Sequence, residues 1–263
     1  MKQRIITGLI GGTGFLIFLW YGGIPYSVLI GLLALIAYYE LLKMVKAKIY
    51  SLEGIIGLST VLLIIIQSNF TFFWLDNINP VMIILFLMIL YLTVPVIKKN
   101  KVSFANMGYI LLGALYIGFG FSFMLTTRML DQGLALTLLI MLATWASDSG
   151  AYFTGKIFGK HKLWPQISPN KTIEGALGGI FLAVLVSFLI NLYINIYQNL
   201  FLVLLLGLII SVTGQLGDLV ESALKRSNNV KDSGYILPGH GGILDRFDSL
   251  IFTFPFLYLV NIL

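Results

Sequence analysis

Residues 172–195 read TIEGALGGIFLAVLVSFLINLYIN, and no charged side chain follows Glu174 in this stretch. An apolar run of about 20 residues has the length that an α-helix needs to cross roughly 30 Å of hydrocarbon. The run is continuous, whereas a strand of a membrane barrel alternates apolar and polar residues. The stretch therefore predicts a transmembrane helix.

The same pattern recurs along the whole chain. Of its 263 residues, 58% are hydrophobic and 11% are charged, whereas soluble domains carry roughly 25% charged residues. The chain has no cysteine, which excludes disulfides and thiolate chemistry. We therefore predict an all-α polytopic membrane protein, a single membrane-embedded domain over 1–263 with about nine transmembrane helices. They are expected near 5–22, 24–42, 54–69, 79–97, 107–126, 133–154, 172–195, 200–220 and 249–263.

The basic residues predict the orientation in the membrane. Alternate connecting segments hold sixteen of the seventeen Lys and Arg residues, and only Arg128 falls on the opposite side. The positive-inside rule then places the N-terminus inside and the C-terminus outside. The net charge of +6 is explained by topology, so no nucleic-acid partner is expected. We therefore expect a multi-pass protein of the inner (cytoplasmic) membrane, with its polar segments on the cytosolic side.

The first long polar segment on that side covers residues 148–174. Asp148 lies near the end of a span, where a carboxylate either lines a polar cavity, binds a cation or simply reaches interfacial water. Asn170 is the expected N-cap of the following helix, with Glu174 in its first turn. Lys171 and Thr172 at the same helix start would suit a phosphate. His161, in a lysine-rich loop, is interpreted as a surface residue.

The second polar segment begins within a span. Four residues recur at the i, i+3, i+4 and i+7 spacing that defines one helix face, namely Asp218, Glu221, Ser222 and Lys225. Such a stripe is either a solvated helix face or one side of a water-filled or cation-binding cleft. Because it begins among apolar residues, we favour the cleft.

Beyond the stripe, residues 222–248 read SALKRSNNVKDSGYILPGHGGILDRFD, and the Pro-Gly-His-Gly-Gly run cannot be regular helix. Asp245 and Asp248 share a face at the start of the last helix. They either complement the helix dipole or, with Asp218 facing them, bind a hard cation. His240 is either a loop hydrogen-bonding residue or a contact for a phosphate or leaving group.

This 27-residue segment is similar to the signature of the phosphatidate cytidylyltransferases (CDP-diacylglycerol synthases), with no departure from its pattern. Residues 168–175, SPNKTIEG, and Asp148 also resemble that family, as do the length and the run of spans. Residues 1–100 match only in hydropathy. We therefore expect residues 1–100 to be N-terminal scaffold helices and residues 101–263 to hold the catalytic helices and cytosolic loops.

The resemblance implies that CTP and phosphatidate give CDP-diacylglycerol and pyrophosphate, with Mg²⁺ required and a second cation compatible. It implies cation binding by Asp218, Asp245 and Asp248. The catalytic set would be completed by Lys225, Arg226, Lys231, Asp232, His240 and Arg246. The expected substrate-binding residues are Asp148, Ser168, Asn170, Lys171, Thr172 and Ser222. The partners are then the two substrates and the lipid bilayer, and a homodimer is compatible with the sequence.

Two other functions remain open. A CTP-dependent membrane lipid-alcohol kinase would also use a cationic cytosolic site with Mg²⁺, but its product would be a phosphorylated alcohol. A cation-coupled transporter would account for acidic residues within spans. A transporter would also need a polar path to the outer face, and the outer halves of the predicted spans are almost wholly apolar.

Overall fold

A computed structural model describes residues 2–69 and 80–263. Within them, each of the nine expected spans coincides with an α-helix, although position 79 lies outside the described residues. One antiparallel two-stranded ribbon is added between the sixth and seventh helices. The elements are α1 Lys2–Tyr21, α2 Gly23–Met44, α3 Leu52–Asn69, α4 Pro80–Ile97, α5 Phe104–Met129, α6 Gly133–Phe158, β1 Lys162–Trp164, β2 Ser168–Thr172, α7 Ile173–Ile194, α8 Leu200–Ser227 and α9 Leu244–Leu259.

Among the described residues, five helices are long and apolar enough to cross a membrane: α2, α5, α6, α7 and α8. Three shorter apolar segments lie in α1, α3 and α4, and α9 has 16 residues. The expectation of a helical, multi-pass membrane protein is therefore confirmed.

The described residues fall into two compact units. The first comprises the chain up to Thr126 together with Asp232–Asp245. Its core contains fully buried Tyr38 of α2 and nearly fully buried Leu41. Glycines allow the neighbouring helices to approach these side chains, since a Cβ at Gly57 would collide with Tyr38 and one at Gly113 with Leu41.

The second unit comprises Thr127–Lys231 and Arg246–Leu263. Here α6 and α7 pack closely enough that a Cβ at Gly150 would lie 2.7 Å from the carbonyl oxygen of Gly178. Small residues at helix crossings are typical of membrane proteins, where backbone contact replaces the hydrophobic effect as the source of attraction. The Oγ atoms of Ser147 on α6 and Ser211 on α8 lie 2.6 Å apart, which links these two helices through a buried hydrogen bond.

The start of α7 differs from the sequence prediction. Its N-cap is Thr172, whose hydroxyl accepts a hydrogen bond of 3.1 Å from the amide of Gly175, so the expectation of Asn170 at this position is wrong. The reason is the ribbon, because β2 keeps residues 168–172 extended and delays the helix until Ile173. A side-chain acceptor at the N-cap must reach an amide in the first turn, which Thr172 does.

Candidate active site

A cleft of about 460 Å³ opens in the second unit. It is bounded by the C-terminal half of α6, the ribbon, the start of α7 and the middle of α8. Five of the expected site residues line it: Asp148, Asn170, Lys171, Thr172 and Asp218. Ser168, at the other end of β2, is paired with Trp164 and lies outside the cleft lining. The structure thus joins the first polar segment to the polar stripe of α8.

Three carboxylates of this unit interact electrostatically. Asp218 and Asp148 repel each other, and Asp248 is repelled by both. Two lysines offset this negative charge: Lys171 forms a 2.6 Å ion pair with Asp218 and also attracts Asp148, and Lys225 attracts Asp248. Of these groups, Asp148, Asp218 and Lys171 line the cleft, so the cleft itself holds both acidic and basic side chains.

The donor set suits a hard cation, because carboxylate oxygens are the ligands that Mg²⁺ prefers and the chain has no cysteine thiolate. Within the described residues, no three His, Asp or Glu side chains converge tightly enough to enclose an ion by themselves. Mg²⁺ usually keeps several waters and binds through one or two carboxylates plus substrate phosphates. Residues such as Asp148 and Asp218 fit that mode of binding.

The stripe on α8 has the predicted geometry. Ser222 donates a hydrogen bond of 3.2 Å to Asp218, and Lys225 forms an ion pair of 2.5 Å with fully buried Glu221. Removing Lys225 would be costly, because it would leave the fully buried carboxylate of Glu221 without this cation. The remaining expected cations of this unit are exposed: Arg226, Lys231 and Arg246.

The Pro-Gly-His-Gly run lies in the first unit and forms a tight turn, as expected. The amide of His240 donates to the carbonyl of Leu237, and Gly239 between them has a φ of 79°. This is the positive φ that glycine adopts at the third position of a type II turn, after the proline at the second. The ring of His240 packs against Gly8 of α1, where an added Cβ would lie 3.3 Å from the imidazole.

Asp245 also belongs to the first unit, where its Oδ2 atom accepts three hydrogen bonds. The donors are the amide and the hydroxyl of Ser233, at 2.9 and 2.8 Å, and the amide of Gly242 at 2.8 Å. Asp232, the residue before this serine, is exposed. The carboxylate of Asp245 is thus held rigidly by the loop that precedes α9.

The whole chain matches known proteins. A model of the cytidylyltransferase family covers residues 2–263. The chain belongs to the cytidylyltransferase family. The phosphatidate cytidylyltransferase of Bacillus subtilis (strain 168) is 48% identical over 261 residues, which are 99% of this chain and 97% of the relative. The enzyme of the same name from Staphylococcus aureus (strain COL) is 44% identical over 263 residues, 100% of this chain and 98% of the relative.

Family membership confirms the resemblance inferred from residues 222–248 and, with it, the expectation of a nucleotidyltransferase. The individual roles assigned to the fifteen site residues stay predictions. The cation requirement also stays a prediction.

Several residues that line the cleft were not predicted as site residues. Gln215 donates from Nε2 to the carbonyl of Ala176 and to the hydroxyl of Ser211, at 3.2 and 3.0 Å. Lys156 and Tyr152 line the cleft from α6, with the ammonium 5.8 Å from the ring centroid. Gln215 could have been identified from the sequence, because a glutamine within a transmembrane span indicates a functional site.

The prediction that His161 is a surface residue is confirmed, and the structure adds a partner for it. Its side chain is exposed, and its Nδ1 atom lies 2.6 Å from Oε1 of Glu174. The other carboxylate oxygen of Glu174, Oε2, accepts hydrogen bonds from the amides of Lys160 and His161. Glu174 therefore ties the segment that leads into the ribbon to the first turn of α7. The ribbon between these two points contributes Leu163, Asn170 and Lys171 to the cleft lining.

Proposed function

We propose that this protein transfers the cytidylyl group of CTP to phosphatidate at the cytosolic face of the inner membrane. The observation that carries the proposal is the 48% identity to a phosphatidate cytidylyltransferase over almost the entire length of both chains. The acidic and basic cleft of the second unit suits substrates that carry phosphates.

The reaction is a displacement at phosphorus. A phosphate oxygen of phosphatidate forms a bond to the α-phosphorus of CTP, and the bond from that phosphorus to the bridging oxygen breaks, which releases pyrophosphate. The attacking oxygen is already anionic near neutral pH, so the protein needs no strong general base. Catalysis then rests on holding the two phosphates in contact, roughly 3–3.5 Å apart, and on balancing their charge.

The second unit supplies groups for both tasks. Lys171 and Lys156 line the cleft, and we assign their ammonium groups to phosphate oxygens of the substrates. We assign Lys225, Arg226, Lys231 and Arg246 to the triphosphate and the departing pyrophosphate, as the family resemblance implies. Ser168, Asn170, Thr172 and Ser222 would bind substrate, and Asp232 and His240 would assist catalysis.

Mg²⁺ would be held by Asp218 and Asp248 of the second unit, and Asp245 is the third predicted ligand. A second bound cation is also compatible with the proposal. When bound, it would neutralise phosphate charge and orient the reacting groups. Asp148 and Asp218 already repel each other, which supports the proposal because a bound cation would relieve this repulsion.

The placement in the membrane is also part of the proposal. Nine crossings with the N-terminus inside are supported by the asymmetry of the basic residues, sixteen of which fall on one side. CTP is a cytosolic nucleotide, so the cleft must open to that side. A homodimer stays an expectation that native mass spectrometry of the detergent-solubilised protein can test.

The deciding experiment uses purified protein, phosphatidate, Mg²⁺ and CTP labelled at either the α- or the γ-phosphate. Label from the α-position should enter the lipid and label from the γ-position should leave as pyrophosphate. A lipid-alcohol kinase would instead place the γ-label in the lipid when given a lipid alcohol. A protein that transfers neither label refutes the proposal.

Two variants test the carboxylates. Asp218→Asn and Asp245→Asn should each lower turnover at least about 100-fold, because charge stabilisation by a metal is worth several kcal/mol. Asp131→Asn, at an exposed acid in the turn before α6, is the matched control. Near-normal activity of either variant at saturating Mg²⁺ removes that residue from the site.

A further inference from the structure

Glu40 is a buried carboxylate on α2, in the region where the sequence indicated only scaffold helices. It is 1% exposed. Its Oε1 atom accepts a hydrogen bond of 3.0 Å from the amide of Ile243, and its Oε2 atom accepts one of 2.9 Å from the amide of Leu244. The hydroxyl of Ser233 lies 3.3 Å from the same Oε2 atom. All of these groups belong to the first unit.

These contacts place Glu40 at the start of α9, which begins at Leu244. The first amides of a helix have no partner within the helix and are usually capped by a nearby side chain. The three residues before Leu244 are Gly241, Gly242 and Ile243, none of which carries a side-chain acceptor. The carboxylate of Glu40 replaces the missing cap, and its negative charge complements the positive end of the helix dipole.

The same carboxylate is connected to Asp245 through a shared serine. The hydroxyl of Ser233 lies within hydrogen-bond distance of both acids, at 3.3 Å from Glu40 and 2.8 Å from Asp245. The backbone approaches so closely that a Cβ at Gly234 or Gly242 would collide with the Glu40 carboxylate. Glu40 and Asp245 therefore both accept hydrogen bonds from the two ends of the 232–245 loop.

We propose that Glu40 is a positioning residue for the reaction: it holds the 232–245 loop and the start of α9 so that Asp245 keeps its catalytic position. This inference rests on the proposed function, in which Asp245 takes part. A buried carboxylate is expensive unless several donors converge on it. The structure supplies those donors almost entirely from one loop, so the acid and the loop order each other.

The first experiment compares steady-state kinetics of full-length variants. Glu40→Gln keeps the shape but replaces one acceptor oxygen by a donor, so it should lower kcat at least about tenfold with KM for CTP within about threefold. Glu40→Asp retains the charge and should recover part of the loss. Glu53→Gln is the matched control, because Glu53 is a second buried acid of this unit, 8% exposed and on α3. It should stay within about twofold of the parent.

The second experiment measures the loop without reference to turnover. The chain has no cysteine, so Tyr235→Cys, at a site 86% exposed, gives a single place for a nitroxide spin label. In the absence of substrate, Glu40→Gln should sharpen the spectrum of this label and Glu53→Gln should not. If Glu40→Gln does not insert, Ser233→Ala tests the same link and should show the same pattern with smaller amplitude.

Three results would overturn the proposal. The first is that Glu40→Gln and Glu53→Gln have the same kcat per folded molecule. Glu40 would then have only a structural role, even if the thermal stability of Glu40→Gln is lower. Another is an unchanged label spectrum. The third is a change confined to KM. If the parent protein transfers no label from CTP, the proposed function fails, and the hold of Glu40 on the loop is judged on the spin label alone.

Discussion

Replacing Lys171 by methionine should destabilise the protein more than replacing its partner Asp218 by asparagine. Lys171 lies 2.6 Å from Asp218 and also attracts Asp148. Lys171→Met therefore leaves Asp148 and Asp218, which repel each other and Asp248, without the cation that both of them face. Asp218→Asn removes the same ion pair, but it also removes the acid that repels both of the others.

The magnitude follows from the partial burial of the pair, whose side chains are 24% and 36% exposed. Exposed pairs are worth about 1 kcal/mol or less, and stranding one member of a fully buried pair costs about 3–5 kcal/mol. We expect about 2 kcal/mol for Lys171→Met, which corresponds to a fall in Tm of about 4–8 °C for a chain of this size. For Asp218→Asn we expect less than about 1 kcal/mol.

The assay is thermal unfolding of the purified protein in detergent, with and without Mg²⁺. Lys162→Met, at an exposed lysine of β1, serves as the control. Mg²⁺ should raise the Tm of Lys171→Met more than that of the parent, because a bound cation replaces the missing positive charge. The reasoning is wrong if Lys171→Met melts within about 1 °C of the control, or if Asp218→Asn is the less stable of the two.

Three further predictions concern topology, proximity and packing. A cytosolic reporter fused within residues 157–166 should be active and one fused at the C-terminus inactive; activity at the C-terminus would mean an even number of crossings. Single cysteines at Ser168 and Ser227 should be crosslinked by short flexible reagents, more slowly with CTP and Mg²⁺, because Lys171–Asp218 joins β2 to α8; reaction with only the longest reagents would separate these segments. Gly150→Val should reduce the folded yield severely, because its side chain would collide with the α7 backbone. Gly108→Ala is the control, because a Cβ added at Gly108 would have no neighbouring atom within 4 Å, and it should not change the yield or the gel-filtration profile.

The helices were predictable because each depends on local properties of the chain. A run of about 20 apolar residues must satisfy its backbone hydrogen bonds internally in a bilayer, so a helix follows whatever its neighbours are. The 27-residue segment 222–248 was equally decisive for the family, because its polar residues are so unusual in an apolar chain. The stripe from Asp218 to Lys225 followed from helical periodicity alone.

The start of α7 shows where local reasoning failed. Asn170 is a good N-cap residue by type, but strand pairing with the segment 162–164 extends the chain to Thr172 and moves the cap. The ribbon carries no strong sequence signal, because its two short strands are stabilised by pairing with each other. The pairing of two short strands depends on both of them, so the residue pattern of one strand alone does not predict it.

The sequence by itself determined the class of protein, the helices and the family, since hydropathy and a long signature are properties of consecutive residues. Only the tertiary structure decided the partners of the charged side chains: Lys171 pairs with Asp218, Glu174 contacts His161, and Glu40 accepts hydrogen bonds from backbone amides at the start of α9. Glu40 and Leu244 are 204 positions apart. The energy of such a contact depends on distance and burial, and neither is set until the helices have packed.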